Sequence, residues 1–265
     1  MRNILVTGGT GTLGKVVVNK LVGQNYKVSV LSSKENIKLP NGIELFTGNL
    51  ETGDGLHKAI KDAEVIIHCA SNSKNFRGVD IIGTKNLLKA ISNEIHHLIY
   101  ISIVGIDKSD FPYYVAKLEV EEMIQKSRIP HSIQRTTQFH NLVLFLIKSF
   151  RMENSSSISV PAGMKFQTID VRDVAEKLVS LVRVNPRGKL PALGGPQVLD
   201  IEDMTKIYLK SIKKEDIKIN PQQIENELFN VFKTGINLCP QNVRGKITWE
   251  NFLYNKATVN KITNN

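Results

Sequence analysis

Gly8, Gly9, Gly11 and Gly14 fall in one run, Thr7-Gly8-Gly9-Thr10-Gly11-Thr12-Leu13-Gly14, directly after the apolar triplet Ile4-Leu5-Val6. Such residues, between a strand and a helix, are suited to holding an anionic diphosphate. One glycine makes the tight turn. Another lets the backbone approach phosphate oxygens with no Cβ in the way, and Gly14 lets the helix pack close to the strand. The run fits two registers, one through Gly8, Gly11 and Gly14 and one through Gly9, Gly11 and Gly14. Thr10 and Thr12 add hydroxyl donors, and Leu13 anchors the loop in the core. Gly11 is expected at positive φ and against the pyrophosphate, so a branched side chain is expected to be excluded there. The bland alternative is a turn without a ligand. The strand-like residues before the run and the helical spacing from Lys15 to Val22 after it argue for the dinucleotide.

A second constellation is Tyr113 with Lys117. Residues four apart share one helix face, and Pro112 suits the first turn of that helix. A lysine there can hold a ribose and lower the phenol's pKa, so that the tyrosine exchanges a proton with a carbonyl or hydroxyl while hydride moves to or from a nicotinamide. The pair also arises by chance, and Tyr114 is a competing phenol.

Alternating strand-like and helix-like segments must position these residues. Strands are expected at Asn3–Thr7, Lys27–Leu31, Ile43–Phe46, Glu64–His68, His97–Ser102 and His131–Arg135. Helices are expected to about Val22 and over Gly55–Ile60, Val79–Ile91 and Tyr113–Lys126. This alternation predicts an α/β fold with a Rossmann-like, doubly wound parallel sheet. The second half is less regular: helices are read at Phe139–Phe150, Asp170–Val182 and Ile201–Leu209, with Asp170 as an N-cap. The expected division is a dinucleotide-binding core over 1–150 and a C-terminal region over 151–265 that completes the fold, binds substrate and covers the cleft.

Strand ends in such a sheet line one crevice. After the second strand come Ser32, Ser33 and Lys34, with no acidic residue before Glu35. Two hydroxyls and a cation suit a 2′-phosphate, so NADP(H) is expected over NAD(H). Asn49 and Leu50 follow the third strand, towards the adenine. Cys69, Ala70 and Ser71 follow the fourth and leave space for a ribose or nicotinamide. Cys69 reads as a packing residue and His68 as a satisfied histidine within an apolar strand. His96 and His97 are expected on the surface, at the opposite end of the sheet.

The chain's 265 residues suffice for a full core. Its 41% hydrophobic and 23% charged content are ordinary for a globular protein. The longest apolar run, Leu142–Ile147, is too short to span a membrane, and the first strand begins almost at Met1, so a cytoplasmic location is expected. Cys69 and Cys239 have no metal-ligand spacing, and no metal site is expected. A net charge of +10 invites an anionic partner, but the lysines are scattered and no aromatic-interleaved patch occurs. Nucleic acid and membrane are therefore not expected as partners, a small-molecule substrate is, and the oligomeric state is open.

The glycine run, Gly83-Thr84-Lys85-Asn86-Leu87-Leu88, Tyr100-Ile101-Ser102-Ile103-Val104-Gly105, Tyr114-Val115-Ala116-Lys117, Thr137-Gln138-Phe139-His140, Asp170-Val171-Arg172-Asp173-Val174-Ala175, Gly194-Gly195-Pro196-Gln197 and Thr248-Trp249-Glu250 carry a resemblance over nearly the whole chain. It resembles the atypical short-chain dehydrogenase/reductases of the NmrA-like, NAD(P)H-binding group. The resemblance implies a Rossmann-like sheet with a small C-terminal substrate region. Its group includes quinone and flavonoid-type reductases, and also NADP-binding regulators without turnover. Tyr113 and Lys117 match its catalytic spacing, with Ser102 and Thr136 beside the cofactor. Phe139 and His140 are implied near the substrate, with packing as the alternative for His140. A catalytic hydroxyl just beyond Ser102 is implied, and Ile103, Val104 and Gly105 stand there instead. The expected function is an NADP(H)-dependent oxidoreductase acting on a small carbonyl, quinone or related compound. The alternative is a non-catalytic NADP(H)-binding redox sensor, and a nucleotide-sugar epimerase or dehydratase is less favoured.

Overall fold

The computed structural model describes residues 2–35, 37–91, 95–150, 152–154 and 156–263. The chain divides into two compact units. One comprises Met1–Ser102, Pro112–Arg135 and Val174–Pro191; the other comprises Ile103–Phe111, Thr136–Asp173 and Ala192–Asn265. Both are discontinuous, where the sequence suggests one cut near residue 150.

The first unit is built on strands β1 (Asn3–Thr7), β2 (Lys27–Ser32), β3 (Glu44–Thr47), β4 (Val65–His68), β5 (His97–Ile103) and β6 (His131–Thr136). With the short strand Gly188–Lys189 they form a seven-stranded sheet in the order Gly188–Lys189, β6, β5, β4, β1, β2, β3. This parallel sheet, with its order reversing between β1 and β4, is the doubly wound Rossmann-like α/β fold. Ile4, Leu5 and Val6 of β1 and Val65, Ile66 and Ile67 of β4 are all buried. Central parallel strands are covered on both faces, which explains their unbroken apolar runs. Flanking helices include α1 (Thr12–Val22), α2 (Leu56–Ile60), α3 (Gly83–Ala90) and α4 (Pro112–Lys126). Register pairs Thr7 with Leu31 and His68, and His68 with Tyr100, so the carboxyl ends of β1, β2, β4 and β5 share one edge.

Two features depart from what the sequence implies. The single helix expected over Val79–Ile91 is instead a π-helix, Arg77–Ile82, followed by α3. The wider turn carries Asp80 inward, where it is buried among polar partners; π-turns of this kind concentrate at functional sites. His97 is not on the surface. It opens β5 inside the sheet, is buried, and its Nε2 lies 2.8 Å from Ser132 Oγ. Burial foremost, with the charges of Arg2 and His131, holds its pKa down at about 4.

The second unit contains α5 (His140–Ser149) and much of its irregular remainder is short strand. Met152–Asn154, Ser157–Pro161 and Lys218–Gln222 form a three-stranded sheet, and Lys165–Phe166 pairs antiparallel with Leu199–Asp200. Helices Ile201–Ser211, Glu227–Lys233 and Trp249–Thr263 complete it. Helix α6 (Val171–Leu181) follows Asp170, whose Oδ1 accepts the Arg172 N–H at 2.8 Å, the bond of an N-cap. Trp249 is fully buried and donates its indole N–H to Met204 O at 3.0 Å. Among the described residues, no helix is long and apolar enough to cross a membrane.

Candidate functional site

The glycine loop joins β1 to α1 at the point where the strand order reverses. Gly8 has φ +67°, and a Cβ there would stand 2.6 Å from Ala70 N in the loop after β4. Gly14 has no room either, since its Cβ would meet Gly8 O and Gly9 Cα. Gly11 differs from the expectation. Its φ is −78°, open to any residue, and a Cβ would meet only Gly8 O at 3.2 Å. The positive φ and the strand–helix close approach therefore belong to Gly8 and Gly14. Gly11 and Thr12 are exposed, while Leu13 is buried as the anchor. Gly11 is the N-cap of α1, no side chain among the described residues caps it, and its first turn has no acidic residue. Such an N-terminus presents backbone N–H groups and a positive dipole end to an anion.

At the end of β2, the Ser32 hydroxyl accepts the Lys34 N–H at 3.1 Å and shapes the turn, leaving Ser33 and Lys34 exposed. Asn49 Oδ1 accepts the Glu51 N–H at 2.9 Å, and Leu50 is buried in the core cluster. His68 is fully satisfied: Nδ1 lies 2.6 Å from Thr7 Oγ1 and Nε2 lies 3.0 Å from Thr84 Oγ1. Burial, with Lys117 nearby, holds its pKa at about 3, so it is neutral. Burial likewise pushes the Cys69 thiol up to about 12, against the nearby Lys117 charge, which removes it as a thiolate nucleophile.

Beside this loop edge the first unit carries a polar cluster. Tyr113 OH lies 2.7 Å from Ser71 Oγ, and Ser71 Oγ donates to Asp80 Oδ1 at 2.6 Å. A serine has one proton to give, so with it committed to the carboxylate, the phenol donates to Ser71. The Asn72 N–H donates to Asp80 Oδ2 at 3.0 Å. Lys117 Nζ lies 3.5 Å from Asp80 Oδ1, donates to Ile101 O at 3.3 Å, and sits 4.4 Å from the centre of the Tyr100 ring. Lys117 and Asp80 are both buried, whereas Tyr113 is half-buried and Ser71 exposed, so the chain of contacts runs from the interior to the surface. The expected lowering of the phenol's pKa does not occur. Burial first, and Asp80 second, push Tyr113 up to about 12. Lys117 is itself pulled down by burial while Asp80 holds it up.

Sequence reasoning places Ser71 only near the cofactor and does not single out Asp80. The signal for Asp80 is an acidic residue within an otherwise apolar segment, Val79-Asp80-Ile81-Ile82. Ser102, at the end of β5, is buried, and its Oγ has no hydrogen-bond partner among the described residues.

In the second unit, Thr136 is buried and its carbonyl accepts the Val104 N–H at 2.9 Å. Phe139 is the N-cap residue of α5. His140 is committed on both nitrogens: Nε2 donates to Ile247 O at 2.9 Å, so Nδ1 accepts from Thr168 Oγ1 at 2.7 Å. Its ring lies 5.7 Å from Trp249 and 5.1 Å from Phe252, and burial holds its pKa below the ordinary value. The geometry is that of the packing alternative. His140→Ala is expected to destabilise the protein by roughly 2–4 kcal/mol, through lost packing and two buried groups left unpaired. Denaturant unfolding checks this, and nicotinamide-cofactor affinity measured alongside should be unchanged. Among the described residues, no group of three or more His, Cys, Asp or Glu is placed to hold a metal.

Comparison with known proteins agrees with this architecture. A UDP-glucose 4-epimerase from Thermotoga maritima, solved with UDP-glucose, superposes with a TM-score of 0.78 at 16% identity, over 99% of this chain and all of that one. A Thermus thermophilus UDP-glucose 4-epimerase complexed with NAD gives 0.73 at 16% identity, over 95% and 96% of the two chains. Both likenesses are of fold. In sequence, the chain is 22% identical over 250 residues to the photosystem II assembly factor Ycf39 of Trieres chinensis, over 89% of this chain and 78% of that one. It is 34% identical over 103 residues to a decarboxylating sterol-4-alpha-carboxylate 3-dehydrogenase of Dictyostelium discoideum, a match spanning 36% of this chain and 31% of that enzyme. The NmrA-like family pattern matches residues 1–264, and the chain belongs to the NmrA-like family.

Proposed function

We propose that this protein is an NADP(H)-dependent oxidoreductase that reduces a small carbonyl, quinone or related compound. The observation that carries the reading is the cluster of Tyr113, Ser71, Asp80 and Lys117, in the same unit as an uncapped glycine-loop helix. The residues present fit a dinucleotide. Among the described residues, a buried Ser102 hydroxyl lacks a partner and the α1 N-terminus has no side-chain cap. Gly8, Thr10, Gly11, Thr12, Leu13 and Gly14 would hold the pyrophosphate, and Ser33 and Lys34 the ribose phosphate, with Ser32 shaping their turn. When bound, the nicotinamide supplies the hydride. Tyr113, at the surface end of its chain of contacts, is the acid that gives a proton to the substrate oxygen. The sterol dehydrogenase it resembles over part of its length, and the NAD-bound epimerase of like fold, support a nicotinamide dinucleotide as the cofactor.

Wild-type protein is expected to bind NADPH more tightly than NADH. Lys34→Ala should weaken NADPH about ten- to a hundredfold, the loss of a charge-assisted hydrogen bond, and leave NADH nearly unchanged. Fluorescence titration checks both, and tighter NADH binding in the wild type overturns the preference. Screening carbonyls and quinones with NADPH then tests for turnover. Firm NADPH binding with no turnover of either class favours the sensor reading.

A further inference from the structure

Asp80 stands out because it is buried, charged and shared. One carboxylate receives the Ser71 hydroxyl, the Asn72 N–H and the Lys117 ammonium. An aspartate–lysine pair buried this deeply needs its remaining valences filled to be tolerated, and here neighbours fill them. The cationic partner that would stabilise a phenolate at Tyr113 is thus already matched by an anion. The hydroxyl contacting Tyr113 comes from Ser71 after β4, whereas the stretch beyond Ser102 after β5 offers Ile103, Val104 and Gly105.

We propose that Asp80 is a positioning residue that keeps Tyr113 protonated: it takes up the charge of Lys117 and, through Ser71, fixes the direction of the phenol's hydrogen bond. This rests on the reading of Tyr113 as the acid and adds its consequence, that the free site holds the proton a reduction consumes. In reduction a bound nicotinamide would supply the hydride for the new C–H bond, the carbonyl π pair would move onto oxygen, and the Tyr113 phenol would give its proton to that oxygen. The resulting phenolate is reprotonated from solvent, since Ser71 is exposed and Tyr113 half-buried. Asp80 disfavours the phenolate, so the site returns to the phenol form before the next substrate binds. The Ser71 hydrogen bond pulls the phenol the other way, and is weakened because the Ser71 proton is committed to Asp80. The Phe76 ring, 6.1 Å away, and the Tyr100 phenol, which burial holds neutral, carry no charge to oppose Asp80. Further along α4, Glu121 is bound to Arg135 by two hydrogen bonds.

The test is titration of phenolate absorbance in the cofactor-free protein. Wild type and Asp80→Asn are each compared with the same chain carrying Tyr113→Phe, so that the difference isolates one of six tyrosines. Wild-type Tyr113 is expected to remain a phenol to about pH 11, above the ordinary midpoint near 10. Asp80→Asn should lower its midpoint by up to about one pH unit, since burial, the larger cause of the raised value, stays in place. Should the single variant fail to fold, Asp80→Asn with Lys117→Met removes both buried charges and is also expected to titrate below wild type, because Asp80 is the charge linked to Tyr113 through Ser71. Midpoints unchanged by removal of Asp80, or a wild-type Tyr113 that ionises at or below 10, overturn the proposal. NADPH titration of the same wild-type sample reports separately. Absent binding would sink the oxidoreductase reading and leave the phenol result standing.

Discussion

Gly11→Val is expected to yield a folded chain that no longer binds NADPH, with affinity reduced at least about a hundredfold. The backbone at Gly11 already has φ −78° and ψ 178°, an extended conformation that valine adopts freely. Its Cβ would meet Gly8 O at 3.2 Å, a tight contact relieved by a shift of a few tenths of an ångström. Gly11 is exposed at the head of α1, so the added methyl groups project over the N–H groups offered to the pyrophosphate. Circular dichroism and the thermal midpoint should stay near wild type. Gly14→Ala is the contrasting control. Its Cβ would strike the backbone of Gly8 and Gly9, which cannot swing aside like a side chain, so stability should fall by at least about 1–3 kcal/mol. Retained NADPH binding in a folded Gly11→Val protein would reduce the loop to a turn.

That contrast shows what the sequence made legible. The glycine run, the alternation of apolar strands and helices, and the pairing of Tyr113 with Lys117 on α4 are local patterns. Strand and helix boundaries in the first 150 residues mostly fall within a residue or two of the observed ones. Which glycine carries the positive φ is not local. It is decided by how closely the loop after β4 passes Gly8. Asp80 was hidden for a related reason. One acid in an apolar helical stretch gives no signal of its partners, and Ser71 and Lys117 reach it from 9 and 37 residues away, the latter being 117 minus 80. The second unit was harder to read because its strands run two to five residues and pair across long sequence gaps, as Lys218–Gln222 does with Ser157–Pro161. His140 shows the same limit. Its partners Thr168, Ile247, Trp249 and Phe252 are 28 or more residues distant, and they occupy both ring nitrogens and pack against the ring.

Tyr113→Phe should reduce turnover of a carbonyl substrate by roughly 10²–10⁴-fold, the usual share of general acid catalysis. NADPH affinity should hardly change, because only the phenol oxygen is removed. Lys117→Ala should harm both binding and turnover, since it also leaves Asp80 buried without its cation. The pH dependence follows from the raised phenol. With Tyr113 pushed up to about 12, the proton needed for reduction is present throughout the neutral range. The wild-type reduction rate should therefore be flat from about pH 6 to 10, and fall only as the phenol ionises above that. A lysine-activated phenol would lose its proton earlier and show its decline near neutrality. A quinone reduced by direct hydride transfer demands less proton donation, so Tyr113→Phe should be mild for that class. Rates for both substrate classes, measured across this pH range in wild type and Tyr113→Phe, separate these cases. Undiminished carbonyl turnover in Tyr113→Phe would exclude the phenol as the acid.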